Sequence, residues 1–178
     1  MPAAKPNRKT AARKQRLAET IATLTALQFG PKQRNETAAY TLLALLDLQS
    51  DAAWADAQAP LCGIIPVIDF IATAYGVRYA PNTRETIRDD AVKFFVEEGL
   101  LVRNPDDPNR PTNSGKTVYQ IEPTALALLR KFGTLEWTPA LGRYLTSRES
   151  LKHEIARKRD LARVPITLPD GSQVALSP

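Results

Sequence analysis

The sequence predicts a mainly α protein: a winged helix-turn-helix with a two-stranded wing, extra covering helices and a C-terminal hairpin. Three observations lead there. From Tyr79 to Gly99, Ile87, Ala91, Phe94 and Phe95 recur at helical spacing, while the first turns carry polar residues. A second helical pattern, closed by Gly76, stands just before that stretch. Two short apolar runs follow it, parted by a cluster of Pro, Asp, Asn and Gly, as a wing follows a recognition helix.

The elements are expected in this order. Residues 1–12, with Pro2, Pro6 and small or basic side chains, read as a flexible arm, and the solvated tail is its plain alternative. The arm as a whole is bounded at 1–16 and followed by a helix-turn-helix domain over 17–147. Leu17, Ile21, Leu24 and Leu27 mark a first helix over Arg13–Gln28, stopped by Gly30 and Pro31. Asn35 can cap a second helix, whose run from Tyr40 to Leu48 is apolar enough for the core. Gln49 to Gly63 is a loop that Trp54 can anchor. Pro66 suits the first turn of a third helix, on which Val67, Phe70, Ile71, Ala74 and Tyr75 share a face. A turn over Gly76–Pro81 leads to the recognition position, Asn82–Glu98, where Asn82 and Glu85 have capping-box spacing.

Leu100–Asn104 and Thr117–Ile121 read as the strands of the wing. Pro123 opens a helix closed by Gly133, and a shorter helix carries Trp137, Leu141, Tyr144 and Leu145. Residues 148–163 read as a separate charged linker helix. Within 164–178, Ile166 and Leu168 face Val174 and Leu176 across Pro169, Asp170 and Gly171, a hairpin signal. A lone two-stranded hairpin is marginal in water, so a following domain is expected.

Charge is placed unevenly. The 178 residues carry a formal charge of +5 and a pI near 9.5. Residues 1–16 hold six basic residues and no acid, whereas 17–147 hold 12 basic and 15 acidic ones. A folded middle of that balance touches DNA through a few placed arginines, with basic ends adding phosphate affinity. The single cysteine, Cys62, excludes an internal disulfide. No apolar run reaches the ~18 residues of a membrane span and no signal peptide is visible, so a cytoplasmic protein without a membrane partner is expected.

Several candidate chemistries fail on the residues. Ser114-Gly115-Lys116-Thr117 resembles the end of a P-loop, but Arg110 stands where its first glycine belongs and a strand follows. Pro105-Asp106 and Pro169-Asp170 could begin a metal-dependent nuclease site, yet no Asp or Glu has a lysine two positions later. His153 lies between Lys152 and Glu154 on a charged helix, and Cys62 lacks companions for zinc. No catalytic residue, metal ligand or cofactor is therefore expected here.

DNA contact is the positive candidate. Asn82, Thr83, Arg84, Thr86 and Arg88 lie outside the apolar stripe and suit base edges in the major groove. Arg110, Asn113 and Lys116 could touch the backbone or minor groove from the wing, an ordinary polar loop being the alternative. Lys5, Arg8, Lys9 and Arg13 would bind phosphate from the arm. A solvated charged face with i, i+4 pairs explains Arg84 and Arg88 without DNA.

Four segments carry a resemblance. They are Phe29-Gly30-Pro31-Lys32-Gln33-Arg34-Asn35-Glu36, Tyr79 through Arg88, Asn104-Pro105-Asp106-Asp107-Pro108 and Tyr119-Gln120-Ile121-Glu122-Pro123. In this order they resemble the N-terminal region of the BsuBI/PstI family of type II restriction endonucleases, from about residue 28 onward. The resemblance implies a winged-helix domain joined to a magnesium-dependent nuclease domain that cuts a palindromic site, CTGCAG in the family's namesakes. A palindrome implies a homodimer. The nuclease half would begin near the terminal hairpin, so cleavage is not expected of this chain alone. A free-standing transcriptional regulator and a dimerisation or domain-contact module are the alternatives.

Overall fold

The computed structural model describes residues 7–162, 166–167, 169, 171 and 173–174. Two compact units divide the chain, Met1–Leu141 and Gly142–Pro178.

The first unit is built on α2 (Glu36–Leu45). Asn35 starts it as expected, its side chain accepting from Ala38 N at 2.9 Å. Every residue from Ala38 to Leu46 except Tyr40 is buried, so this helix has hardly any polar face and forms the centre. Against it packs α1 (Arg8–Ala26), through Leu24 and two buried threonines. Thr20 and Thr23 satisfy their hydroxyls on the carbonyls of Arg16 and Glu19, which lets polar residues enter the core.

The helix α1 begins at Arg8, not Arg13. Asn7 accepts from Lys9 N at 3.2 Å and caps it, and Ala11 and Ala12 continue it well. Arg8, Lys9, Arg13, Lys14 and Arg16 are thus helical residues, which corrects the flexible arm over that span. Lys5 lies outside the described residues.

Gly63 precedes α3 (Ile64–Phe70), so the helix starts two residues before Pro66 and places that proline in its first turn. A π-helical segment (Ile71–Tyr75) prolongs α3 until Gly76, whose φ of 70° reverses the chain. The next helix consists of α4 (Thr83–Thr86), a π-helical segment (Ile87–Val92) and α5 (Lys93–Glu97) in unbroken succession. Ile87, Ala91 and Phe95 are buried as expected. Phe94 is not: it is exposed, and Val92 takes its place inside. The π segment causes the exchange, because an i→i+5 turn holds more than the 3.6 residues of an α turn and advances the buried stripe by one position.

Two strands follow, β1 (Leu101–Arg103) and β2 (Tyr119–Ile121), antiparallel with Leu101 opposite Ile121 and Arg103 opposite Tyr119. Cys62 joins their edge through a pair of 2.9 Å backbone bonds with Tyr119. Leu101, Tyr119 and Ile121 face the core. Glu122 then caps α6 (Pro123–Leu129), its carboxylate accepting from Ala125 N at 2.9 Å with Pro123 in the first turn.

One helix, α7 (Trp137–Ala162), replaces the two expected from Trp137 and from residue 148. Neither Pro nor a chain reversal interrupts it. In the second unit, Thr146 and Ser150 bond back to the carbonyls of Gly142 and Thr146, so the polar stretch remains helical. The same unit holds β3 (Ile166–Thr167) and β4 (Gln173–Val174), paired Ile166 to Val174 and Thr167 to Gln173. Leu168 and Leu176, assigned to that hairpin from sequence, lie outside the described residues. Among the described residues no helix is long and apolar enough to cross a membrane.

Candidate nucleic-acid interface

The helix-turn-helix consists of α3 with its π segment, the turn after Gly76, and the α4–α5 helix. Its second helix starts without the expected side-chain cap. Asn82 is already in the right-handed helical region, at φ −69° and ψ −17°, and makes no capping bond. Turn carbonyls do that work instead: Thr83, Arg84 and Glu85 donate their N–H groups to Ala80, Pro81 and Asn82. The Asn82 side chain is left exposed at the helix entrance.

Both helices are held at their π segments by long side chains from elsewhere. Gln33, buried beside α2, donates Nε2 to the Asp90 carbonyl at 2.8 Å. Arg13 of α1 donates Nε to the Ala74 carbonyl at 3.1 Å, close to the end of its helix, where carbonyls lack partners and a cation is favoured. A Cβ at Gly76 would meet Arg13 Nη1 at 3.0 Å, so that glycine serves both the reversal and the arginine. Gln33→Leu is expected to cost ~1–3 kcal/mol, since it leaves the half-buried Asp90 carbonyl without this partner. Urea unfolding checks this, and a loss under a few tenths would show that the carbonyl needs no partner.

Of the residues singled out on and just before the α4–α5 helix, Asn82, Arg84, Thr86 and Arg88 are exposed and Thr83 is half-buried. They line up before and beside the buried face formed by Ile87, Ala91 and Phe95. The Arg84 side chain makes no hydrogen bond or ion pair among the described residues. Arg88 is held by Asp89, Nε to Oδ1 at 2.9 Å. Glu85, named for its capping-box spacing, shares the exposed side with Asp89 and Lys93, which sequence reasoning did not single out.

The long loop between β1 and β2 is stapled internally. Asn104, at φ 47° and buried, accepts at Oδ1 from Val118 N and from Arg110 Nη1. Arg110 also forks onto Asp106 at 2.8 and 3.0 Å, and Arg103 donates to the Thr112 carbonyl. The Arg110 hydrogen bonds hold the Asp106 carboxyl below the usual carboxylate range. The Asp106–Arg110 pair therefore persists above that range and weakens only as pH falls through the lowered value, while the bonds to Asn104 and Thr112 do not titrate. Arg110 is engaged inside the hairpin, whereas Asn113 and Lys116 extend into solvent.

At the start of α1, Arg8 and Lys9 are exposed and line a cleft of about 600 Å³ with Asn7, Ser50, Asp51 and Thr73. Arg13 is turned inward, as described. Arg16, counted with the basic end, lies buried over the Trp54 ring at 5.1 Å and donates to the Ala52 carbonyl. Among the described residues no group of three or more His, Cys, Asp or Glu is placed to hold a metal ion.

An exposed polar helix entrance with a stapled hairpin behind it defines a domain of the helix-turn-helix class. The family described as the BsuBI/PstI restriction endonuclease HTH domain matches residues 14–153. The chain belongs to this family. It is 39% identical over 160 residues to the type II restriction enzyme BsuBI of Bacillus subtilis, covering 90% of this chain and 51% of that protein. It is 34% identical over 147 residues to the type II restriction enzyme AplI of Arthrospira platensis, covering 83% and 45%. Among solved structures it is similar to the SdaI restriction endonuclease, with a TM-score of 0.71 at 30% identity over 89% of this chain and 50% of that one. The chain thus spans about half the length of the relatives it matches.

Proposed function

We propose that this chain is the DNA-reading part of a type II restriction endonuclease and that the α4–α5 helix enters the major groove of a palindromic site. The observation that carries this is the exposed set Asn82, Arg84, Thr86 and Arg88 on the second helix of a helix-turn-helix whose opposite face is locked into the core. Membership of a restriction endonuclease family supports it. Asn113 and Lys116 add contacts from the hairpin acting as a wing, and Arg8 and Lys9 bind phosphate. Arg110 and Arg13 serve mainly by holding the hairpin and the first helix in place. Cleavage, with magnesium, belongs to a nuclease domain of the longer protein, and two copies match the two-fold symmetry of a palindrome.

Competition binding tests this, with duplexes that contain or lack CTGCAG at physiological salt. The chain is expected to prefer CTGCAG. The double variant Arg84→Ala, Arg88→Ala is expected to lose roughly 2–6 kcal/mol on the site, from two guanine contacts of about 1–3 kcal/mol each. It loses much less on random sequence. Equal losses on both would make these arginines phosphate contacts, and no preference for CTGCAG would remove that site from the reading.

A further inference from the structure

The outward side of the α4–α5 helix is not uniformly cationic. Next to Arg84 and Arg88 it exposes Glu85 and Asp89. A helix that only gripped phosphates would be weakened by two carboxylates, because the DNA backbone repels them. Asp89 is moreover engaged in a fixed geometry. Its Oδ1 accepts from Arg88 Nε at 2.9 Å and its Oδ2 lies 3.4 Å from Arg88 Nη2.

The two side chains are 52% and 60% exposed, so a neighbouring pair of this kind adds little to stability. Its effect is on direction. The fork occupies the Nε–Nη2 edge of the guanidinium and leaves the Nη1–Nη2 edge, whose two coplanar donors match N7 and O6 of guanine. Each Asp89 oxygen keeps a further lone pair. The Arg88 hydrogen bond also holds the Asp89 carboxyl below the ordinary range, and an ionised carboxylate only accepts.

We infer that Arg88 and Asp89 act as one reading unit in the major groove, Arg88 donating to a guanine and Asp89 accepting from the exocyclic amino group of an adjacent cytosine or adenine. This rests on the DNA-reading function proposed above. Asp89 becomes a specificity-determining residue whose carboxylate weakens binding to DNA in general and strengthens it at the correct base.

The two effects have opposite signs, which makes the unit testable. A random duplex pool is enriched on the wild-type chain, on Asp89→Ala and on Arg88→Ala, and affinity for the wild-type consensus and an unrelated duplex is measured for each. Thermal unfolding confirms that these exposed substitutions leave the fold intact. Asp89→Ala is expected to lose the preference beside the guanine by about tenfold or more while binding the unrelated duplex more tightly. Arg88→Ala is expected to lose the guanine. If Asp89→Ala keeps the wild-type consensus, or gains equally on both duplexes, Asp89 is only a solvated charge and this inference falls alone. If the wild-type chain enriches no consensus, the DNA-reading function falls and this inference with it.

Discussion

Replacing Phe95 by Ala is expected to destabilise the first unit by ~3–5 kcal/mol, the cost of emptying a buried aromatic site. Phe95 is fully buried on the inner face of the α4–α5 helix, its ring edge-to-face with Phe29 at 5.2 Å and 75°. Its carbonyl also accepts from Leu100 N at 2.8 Å where the helix ends. Small domains have only about 5–15 kcal/mol in total, so this one change takes a large share. The urea midpoint should fall with little change in slope. Phe95→Leu, which fills most of the space, should cost clearly less. The exposed Arg84→Ala should stay within about 0.5 kcal/mol of wild type, since a surface side chain without partners has little to lose. A Phe95→Ala loss below 1 kcal/mol would mean that the helix is not seated through this ring.

Which parts of the molecule could be read from sequence follows from how local their causes are. Asn35 caps α2 through a bond three residues away, and Gly76 ends its helix by its own φ. Ile87, Ala91 and Phe95 announce their face by spacing alone. Phe94 misled, because the π segment that turns it outward has no signature in apolar periodicity. The absent Asn82 cap has a related origin: carbonyls of the preceding turn supply acceptors that a list of capping residues cannot show. The helix over 137–162 is longer than expected because Thr146 and Ser150 bond to their own helix rather than breaking it.

The site was legible in residue type and less so in role. Arginine content identified Arg13, Arg84, Arg88 and Arg110 alike. Only distances separate Arg84, which reaches solvent without a partner among the described residues, from Arg13 on the Ala74 carbonyl and Arg110 on Asp106. Those partners lie 61 and four residues away. Gln33 stood inside the quoted Phe29–Glu36 segment, but its bond spans 57 residues to Asp90 and no spacing rule reaches that far. Asp89 had no signal of its own in the sequence, and only its fork bond to Arg88 brings it forward.

Trp54→Ala should cost a comparable ~3–5 kcal/mol, by a different route. Trp54 is nearly buried in the loop between α2 and α3, and packs on Phe132 at 4.9 Å, which itself meets Trp137 edge-on. Its Nε1 donates to Glu19 Oε2 at 2.8 Å, and the same carboxylate lies 3.4 Å from Arg16 Nη1. Removing the indole takes the π face from Arg16 and a hydrogen bond from Glu19 together, so a buried cation loses its platform. Trp54→Phe separates the two effects. It keeps a ring over which Arg16 can lie and removes the N–H, a bond to a charged acceptor worth about 1.5–3 kcal/mol, together with part of the indole's volume. If Trp54→Phe costs as much as Trp54→Ala, the hydrogen bond alone anchors the loop. Adding Glu19→Gln to each variant decides between them, because coupling between residues 19 and 54 measures that bond directly. The far end of the loop is held independently, Arg130 on the Ala57 carbonyl and Gln120 on that of Ala59. Loss of Trp54 should therefore free the stretch nearest α1 first, raising amide exchange at Ala52 and Ala53 before it does at Ala57.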